Sequence, residues 1–267
     1  MKPYVSLLKV RFLNGLQYRA AALGGLVTQF FWGGMLVLIY RAFYGGSDIA
    51  NGYAYKDLVS ATWLQQAFLA FVMLYDWDSE MLDSIMTGSI SYELTRPVDL
   101  YRLWYVKIIS KRLAMAALRF APIVIAAFFM PRPYNLSPPD SLPAFMLFIV
   151  TLFLGLILLG ALSMLIYISV FKTMSPIGSM TAFSLLSEFF GGLTIPVPLM
   201  PAWLQNVCMA LPYRCIGDLP FRVYTGHIGV SGAFFGIAAQ LLWIAVLVAA
   251  GMYWMNRVTR LAAVQGG

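Results

Sequence analysis

The chain has 267 residues, of which 61% are hydrophobic and only 11% charged, and its mean hydropathy is +0.78. Soluble domains carry roughly 25% charged residues, because a soluble fold of this size must cover a large surface with polar groups. A soluble enzyme, a nucleic-acid-binding protein and a disordered chain are thereby excluded, and the net charge of +7 belongs to loops beside a membrane.

Composition therefore predicts an all-α polytopic membrane protein. In chain order, residues 1–19 place Val5, Leu8, Phe12 and Leu16 at helical spacing beside Lys9 and Arg11, the pattern of a helix lying at the interface. The basic residues scattered through this stretch do not read as a cleavable leader. Six stretches then reach or approach the ~20 apolar residues that cross ~30 Å of hydrocarbon. They are Ala20–Phe43, Leu58–Tyr75, Leu113–Met130, Ala144–Phe171, Met174–Thr194 and Gly229–Met255.

The connections carry their own signals. Residues 76–99 are polar with an apolar stripe. Across Leu100–Arg112, Tyr101, Trp104, Tyr105 and Ile108 alternate with Arg102, Lys107, Lys111 and Arg112, which suits a helix at headgroup level with its bases snorkelling. Residues 131–143 are too rich in proline to be helical throughout. In 195–228, Pro196, Pro198 and Pro201 break the fifth span. Pro201 suits the first turn of a new helix that Pro212 ends, with Trp203, Leu204, Val207 and Leu211 on one face. No internal repeat or composition boundary divides the chain, so 1–267 reads as one domain.

Positive charge sets the expected orientation. With both termini cytoplasmic, twelve Lys and Arg lie inside, among them Lys9, Arg11, Arg19, Arg102, Lys111, Lys172 and Arg260. Arg41, Lys56, Arg132, Arg214 and Arg222 lie outside, and Arg119 falls within a span. The positive-inside rule favours this topology.

The stretch after the second span is the more informative connection. Met81, Leu82, Ile85, Met86 and Ile90 form an apolar stripe, and Asp76, Asp78, Glu80 and Asp83 gather at its amino-terminal end, where a helix dipole favours acids. Gly88 and Pro97 punctuate the run. A docking helix that offers Met and Ile side chains to a cytoplasmic partner accounts for the stripe; a solvated loop helix is the plainer alternative. No histidine lies near the four acids, which weighs against a metal.

Within the spans, ionisable and amide groups are costly enough to be functional candidates. Glu188, beside Phe189 and Phe190, reads either as a substrate-path acid that attracts a cation or as an interface acid bonded to the exterior helices. Counting along the spans separates it from Arg119 by about 12 Å, which weighs against direct pairing. Gln29, Gln65 and Gln66 face protein or a cavity rather than lipid. Cys208 and Cys215, separated by Pro212, can be bonded outside the cell or can be ordinary packing thiols. His227 lies in a Gly-flanked exterior turn and reads as a surface residue.

These segments together resemble the type-2, export branch of the ATP-binding-cassette permeases. The resemblance rests on Asp83–Gly88 with the Leu94-Thr95-Arg96-Pro97-Val98 ending after the second span. It rests also on Phe189–Pro198, Leu199–Leu204 and Leu211-Pro212-Tyr213 before the last span, and on six spans with a preceding interfacial helix. The Arg96-Pro97 ending resembles a small-permease branch in which two different permeases share one ATPase; the sparse acids Asp78, Glu80 and Asp83 depart from the usual glutamate-rich start. The resemblance implies a multi-pass protein of the bacterial inner membrane, with Met81, Leu82, Asp83, Ile85, Met86, Gly88, Arg96 and Pro97 coupling it to a cytoplasmic ATPase dimer. No G-x-x-x-x-G-K-[ST] occurs. ATP and Mg are thus expected on that partner, and no cofactor, metal or catalytic residue is expected in this chain. A second, related permease is the implied partner, with a homodimer as the alternative. Small residues including Gly25, Gly33 and Gly191 mark the expected interface, with Glu188, Gln29 and Gln65 toward the path. A small amphipathic or cationic compound, or a lipid, is the expected substrate. The competing reading is an ATP-independent secondary transporter or channel, against which stand the missing inverted repeat and paired broken helices.

Overall fold

The computed structural model describes residues 2–50, 52–95 and 97–265. At its centre lies α8 (Leu142–Thr173), apolar on every side and buried along most of its length, as a helix without a polar face must be. Ser141 caps its start by accepting the Ala144 N–H, and Met174 ends it in the left-handed region (φ 48°). Around α8 pack α12 (Val230–Gln265), α7 (Leu100–Phe128), α9 (Pro176–Phe190) and the short helices α4 (Leu69–Val72), α5 (Ser79–Met86) and α11 (Asp218–Tyr224). The outer helix α2 (Arg19–Tyr44) buries one stripe, Ala22, Gln29, Gly33, Val37, Tyr40 and Tyr44, against α3 (Tyr55–Ala67) and α7. Its other faces carry exposed Val27, Phe31, Leu38 and Phe43. A large apolar surface of this kind belongs in lipid or against a partner.

The molecule has two ends. One carries α1 (Lys2–Gly15), α5 and α6 (Ile90–Leu94) and is called the α5 end. The other carries a hairpin of two two-residue strands, β1 (Ile49–Ala50) and β2 (Tyr53–Ala54), paired Ile49↔Ala54 and Ala50↔Tyr53. Gly52 turns it at φ +73°, and the Tyr44 hydroxyl donates to the Tyr53 carbonyl at 2.9 Å. The hairpin does not stand out in sequence; apart from it the described residues hold only helices and connections.

Several expected boundaries change. α2, α8 and α12 are each long and apolar enough to cross a membrane. The second expected span is broken: α3 stops at Phe68, α4 follows, and the chain turns extended at Met73. Leu100–Arg112 and the third expected span are one continuous helix, α7, capped by Asp99 accepting the Arg102 N–H at 2.8 Å. Nothing between Arg112 and Leu113 interrupts a helical backbone, and the bases find protein partners instead of headgroups. The fifth expected span is a 15-residue helix, α9, about 22 Å long. In the segment after it, α10 (Ala202–Ala210) forms where Pro201 and Pro212 bracket it, but Trp203 and Val207 are exposed while Cys208 is buried. The helix missed there, α11, is buried against α8 and α3 with Asp218 and Arg222 paired at 3.2 Å.

Candidate functional site

α5 begins at Asp78, whose carboxylate accepts the Met81 N–H, while the Asp78 N–H donates to the Tyr167 hydroxyl of α8 at 2.7 Å. Both bonds hold the helix start to the bundle. The apolar stripe is turned inward: Met81, Leu82 and Ile85 are buried against α8. Burial of each is worth ~1.5–3 kcal/mol, so the stripe is this chain's own core and is not free to receive a partner. In the chain alone, α8 covers the docking surface expected of those three residues. The outward face holds Asp83, Met86 (42% exposed), Gly88, Tyr92 (76% exposed) and Leu94. Gly88 has φ +74° with open space around it, so the turn between α5 and α6 needs glycine for its backbone and not for room. Pro97 is exposed beyond α6; Arg96 lies outside the described residues.

A network of ion pairs ties this surface to the bundle. Arg11 of α1 donates to Glu80 at 2.6 Å, and Lys107, only 6% exposed, reaches Glu80 at 3.5 Å and Glu93 at 2.9 Å. The Trp104 indole donates to the other Glu93 oxygen at 2.6 Å. Lys111 donates to Asp76 at 2.7 Å and to the Trp77 carbonyl at 2.6 Å. Arg112, 1% exposed, donates to the carbonyls of Ala70 and Met73 at 2.7 Å each and of Asp76 at 3.2 Å. The carbonyls of Ala70 and Met73 are freed where α4 stops, and a guanidinium has the fork geometry to take several acceptors at once. Glu93 went unread in the sequence, and Lys107 and Arg112 were expected to face headgroups; both bases instead find partners inside the protein.

The Arg11 hydrogen bond, aided by the nearby Lys107, holds the Glu80 carboxyl below its ordinary 4.5. Depression means that the ionised form favours the folded state, so this contribution is present above about pH 4.5 and is lost as pH falls through the lower, folded value. Because Glu80 is more than half exposed, the effect is modest. Thermal stability of the wild type should fall more steeply below pH 4.5 than that of Glu80→Gln. Parallel curves would remove Glu80 from the clamp.

The remaining candidates do not converge. Gln65 donates to the Leu193 carbonyl at 3.2 Å and lines a space of only ≈ 30 Å³ with Tyr40, Asp218 and Arg222. Gln29 is buried within the α2 stripe and absent from the lining of that space. Glu188 is half-buried on α9, and its side chain makes no ion pair or hydrogen bond among the described residues, so it does not meet Arg119. The expected interface glycines face inward. A side chain at Gly25 would meet the Arg119 guanidinium at 2.5 Å, one at Gly33 would meet Trp63 at 2.8 Å, and one at Gly191 would meet the backbone of Ser187 and Tyr213. Gly24 and Gly34 are the open ones on α2. Gln240 bridges the Thr151 and Cys215 carbonyls at 2.8 and 2.7 Å. Cys208 and Cys215 are both free and buried, so they are not bonded to each other, and His227 is exposed at the edge of Tyr53.

Two larger cavities flank α7. One, ≈ 530 Å³, is apolar and walled by Phe68, Phe71, Phe120, Phe148 and Phe153. The other, ≈ 460 Å³, opens between α1, α2, α7 and residues 77–79 and is lined by Arg11, Lys107, Lys111 and Arg119.

Long apolar helices, three of them long enough to cross a membrane, carry a clamped helix pair at one end, which fits an all-helical membrane domain. Comparison with curated proteins finds no match. The family model described as "ABC-2 family transporter protein" matches residues 30–263, from the middle of α2 almost to the end of α12. The chain belongs to the ABC-2 family of transporter membrane proteins.

Proposed function

We propose that this permease exports a small amphipathic or cationic compound, or a lipid, by coupling to a separate cytoplasmic ATPase dimer that binds ATP and Mg. The observation that carries the reading is the outward face of α5 and α6, where Met86, Tyr92 and Leu94 stand exposed on helices held from behind by buried ion pairs. An apolar tip on a rigid mount suits a partner that pushes. Among the described residues, eleven basic residues gather at the α5 end against five at the hairpin end, which supports a cytoplasmic α5 end, cytoplasmic termini and insertion in a bacterial inner membrane. Six crossings then follow if α3–α4 and α9 traverse as broken or short segments, sheltered by α7 and α8, where non-helical backbone is tolerated.

The transport path would lie between this chain and a second, related permease, a homodimer being the other arrangement. The outer face of α2, with open Gly24 and Gly34 among Val27, Phe31 and Leu38, is the better candidate for that contact than the inward-facing Gly25 and Gly33. Glu188 on α9, without an ion pair among the described residues, would lie toward the path.

Purification of the full chain from its native membrane should bring an ATPase with it, together with a second permease. The reconstituted complex should move substrate only with hydrolysable ATP. Transport by the purified chain alone, indifferent to ATP, would overturn the proposal in favour of a secondary transporter.

A further inference from the structure

The basic cavity contains a charge that the protein does not answer. Arg11, Lys107 and Lys111 are each paired with Glu80, Glu93 or Asp76. Arg119 has no ion pair or hydrogen bond among the described residues, and its Nε is fully enclosed without an acceptor. Asp78 lines the same cavity, but its carboxylate serves as the α5 cap.

Arg119 also lies deeper than the others. It follows Lys111 by eight residues on α7, or about 12 Å along the axis. Helical side chains lean toward the helix start, which brings its guanidinium back toward the α5 end. There it lies over Gly25, six residues and about 9 Å from the beginning of α2. Only the missing side chain at Gly25 leaves room for it. Ala21, Ala22, Met115 and Leu118 supply apolar walls beside it. A guanidinium at this depth is costly without an anion, and the cavity is large enough to admit one.

We propose that this cavity holds the phosphate headgroup of an anionic membrane lipid drawn from the leaflet at the α5 end, with Arg119 as its principal ligand. Arginine matches phosphate oxygens with two parallel donors, and basic pockets between membrane helices suit such headgroups. The lipid is favoured over a soluble phosphate because the apolar walls and the depth of Arg119 place the site at the junction of headgroup and acyl chain. A lipid there would bridge α2 and α7. The proposal needs only the membrane setting of the family and stands apart from the ATPase reading.

The test uses the purified full chain in nanodiscs of equimolar phosphatidylglycerol and phosphatidylcholine, with retained lipid counted by native mass spectrometry. Wild type should retain phosphatidylglycerol in preference, and Arg119→Gln should reduce that preference about tenfold, as expected for loss of a charge-assisted contact. Arg119→Lys should restore part of it, and Arg260→Gln, which removes an exposed cation elsewhere, should change nothing. Equal retention of both lipids by wild type would overturn the proposal without reference to any variant. So would an unaltered preference in Arg119→Gln, or an equal loss in Arg260→Gln. Displacement of the lipid by millimolar inorganic phosphate would assign the cavity to a soluble anion instead. None of these outcomes bears on whether an ATPase co-purifies.

Discussion

Arg112→Met should destabilise the folded protein by about 3–5 kcal/mol, since each buried carbonyl left without its donor costs about 1–3 kcal/mol. The guanidinium donates to the Ala70 and Met73 carbonyls, which α4 releases when it stops short, and to that of Asp76 in the irregular stretch beyond. Methionine fills the volume but leaves those acceptors buried, where they cannot turn to water. A chain of this length loses roughly 2–4 °C of melting temperature per kcal/mol, so a fall of about 10 °C is expected in detergent. Arg112→Lys should fall between the two, because one ammonium cannot span three acceptors as a planar fork does. A melting temperature for Arg112→Met within about 2 °C of wild type would show that the break after α4 is held by something else.

The same arginine explains why part of the fold is hidden from the sequence. Leu69–Tyr75 is as apolar as the residues before it, so a span reading passes straight through. What allows the helix to stop is a donor 36 to 42 residues later, and no local pattern reports that. α8 was legible for the opposite reason: its apolar run is local, although the helix starts at Leu142, two residues before the expected Ala144. α7 was read as two elements because bases at 102–112 suggested headgroups, whereas Lys107 and Arg112 are buried with partners inside the protein. The α5 stripe shows the limit most clearly. Periodicity establishes that one face of 79–86 seeks an apolar surface, but α8 and an external partner produce the same pattern. Likewise the glycines of α2 predict close approach, and they are split between two neighbours inside the chain, α7 at Gly25 and α3 at Gly33, and open space outside.

The mount of α5 bears on how movement would pass through the protein. Its inner stripe packs on α8, its first turn is bonded to Tyr167 of α8, and Glu80 joins it to α1 and α7. α6 is tied to α7 through Glu93, Lys107 and Trp104. Displacement of the exposed face would therefore be carried into α7 and α8 as rigid elements and would not be absorbed by a loose loop. Coupling of that kind requires an element whose positions are discrete, which packed helices provide.

On that mount, the double variant Met86→Asp with Tyr92→Asp should fold as wild type and lose its ATPase. Both side chains are exposed in the isolated chain, so charging them costs the fold little. Burial of two carboxylates in a protein contact without partners costs several kcal/mol, enough to weaken association a hundredfold or more. Ile85→Asp is the contrasting variant. Its side chain is 5% exposed inside the chain's own core, so it should lower the melting temperature and yield regardless of any partner. The pair of measurements separates docking from folding: co-purified ATPase per permease, and melting temperature, for each variant. Wild-type ATPase recovery with the Met86–Tyr92 variant would remove α5 and α6 from the docking surface. A stable Ile85→Asp protein that loses only its ATPase would instead return the inner stripe to that role and require α5 to swing away from α8 when the partner binds.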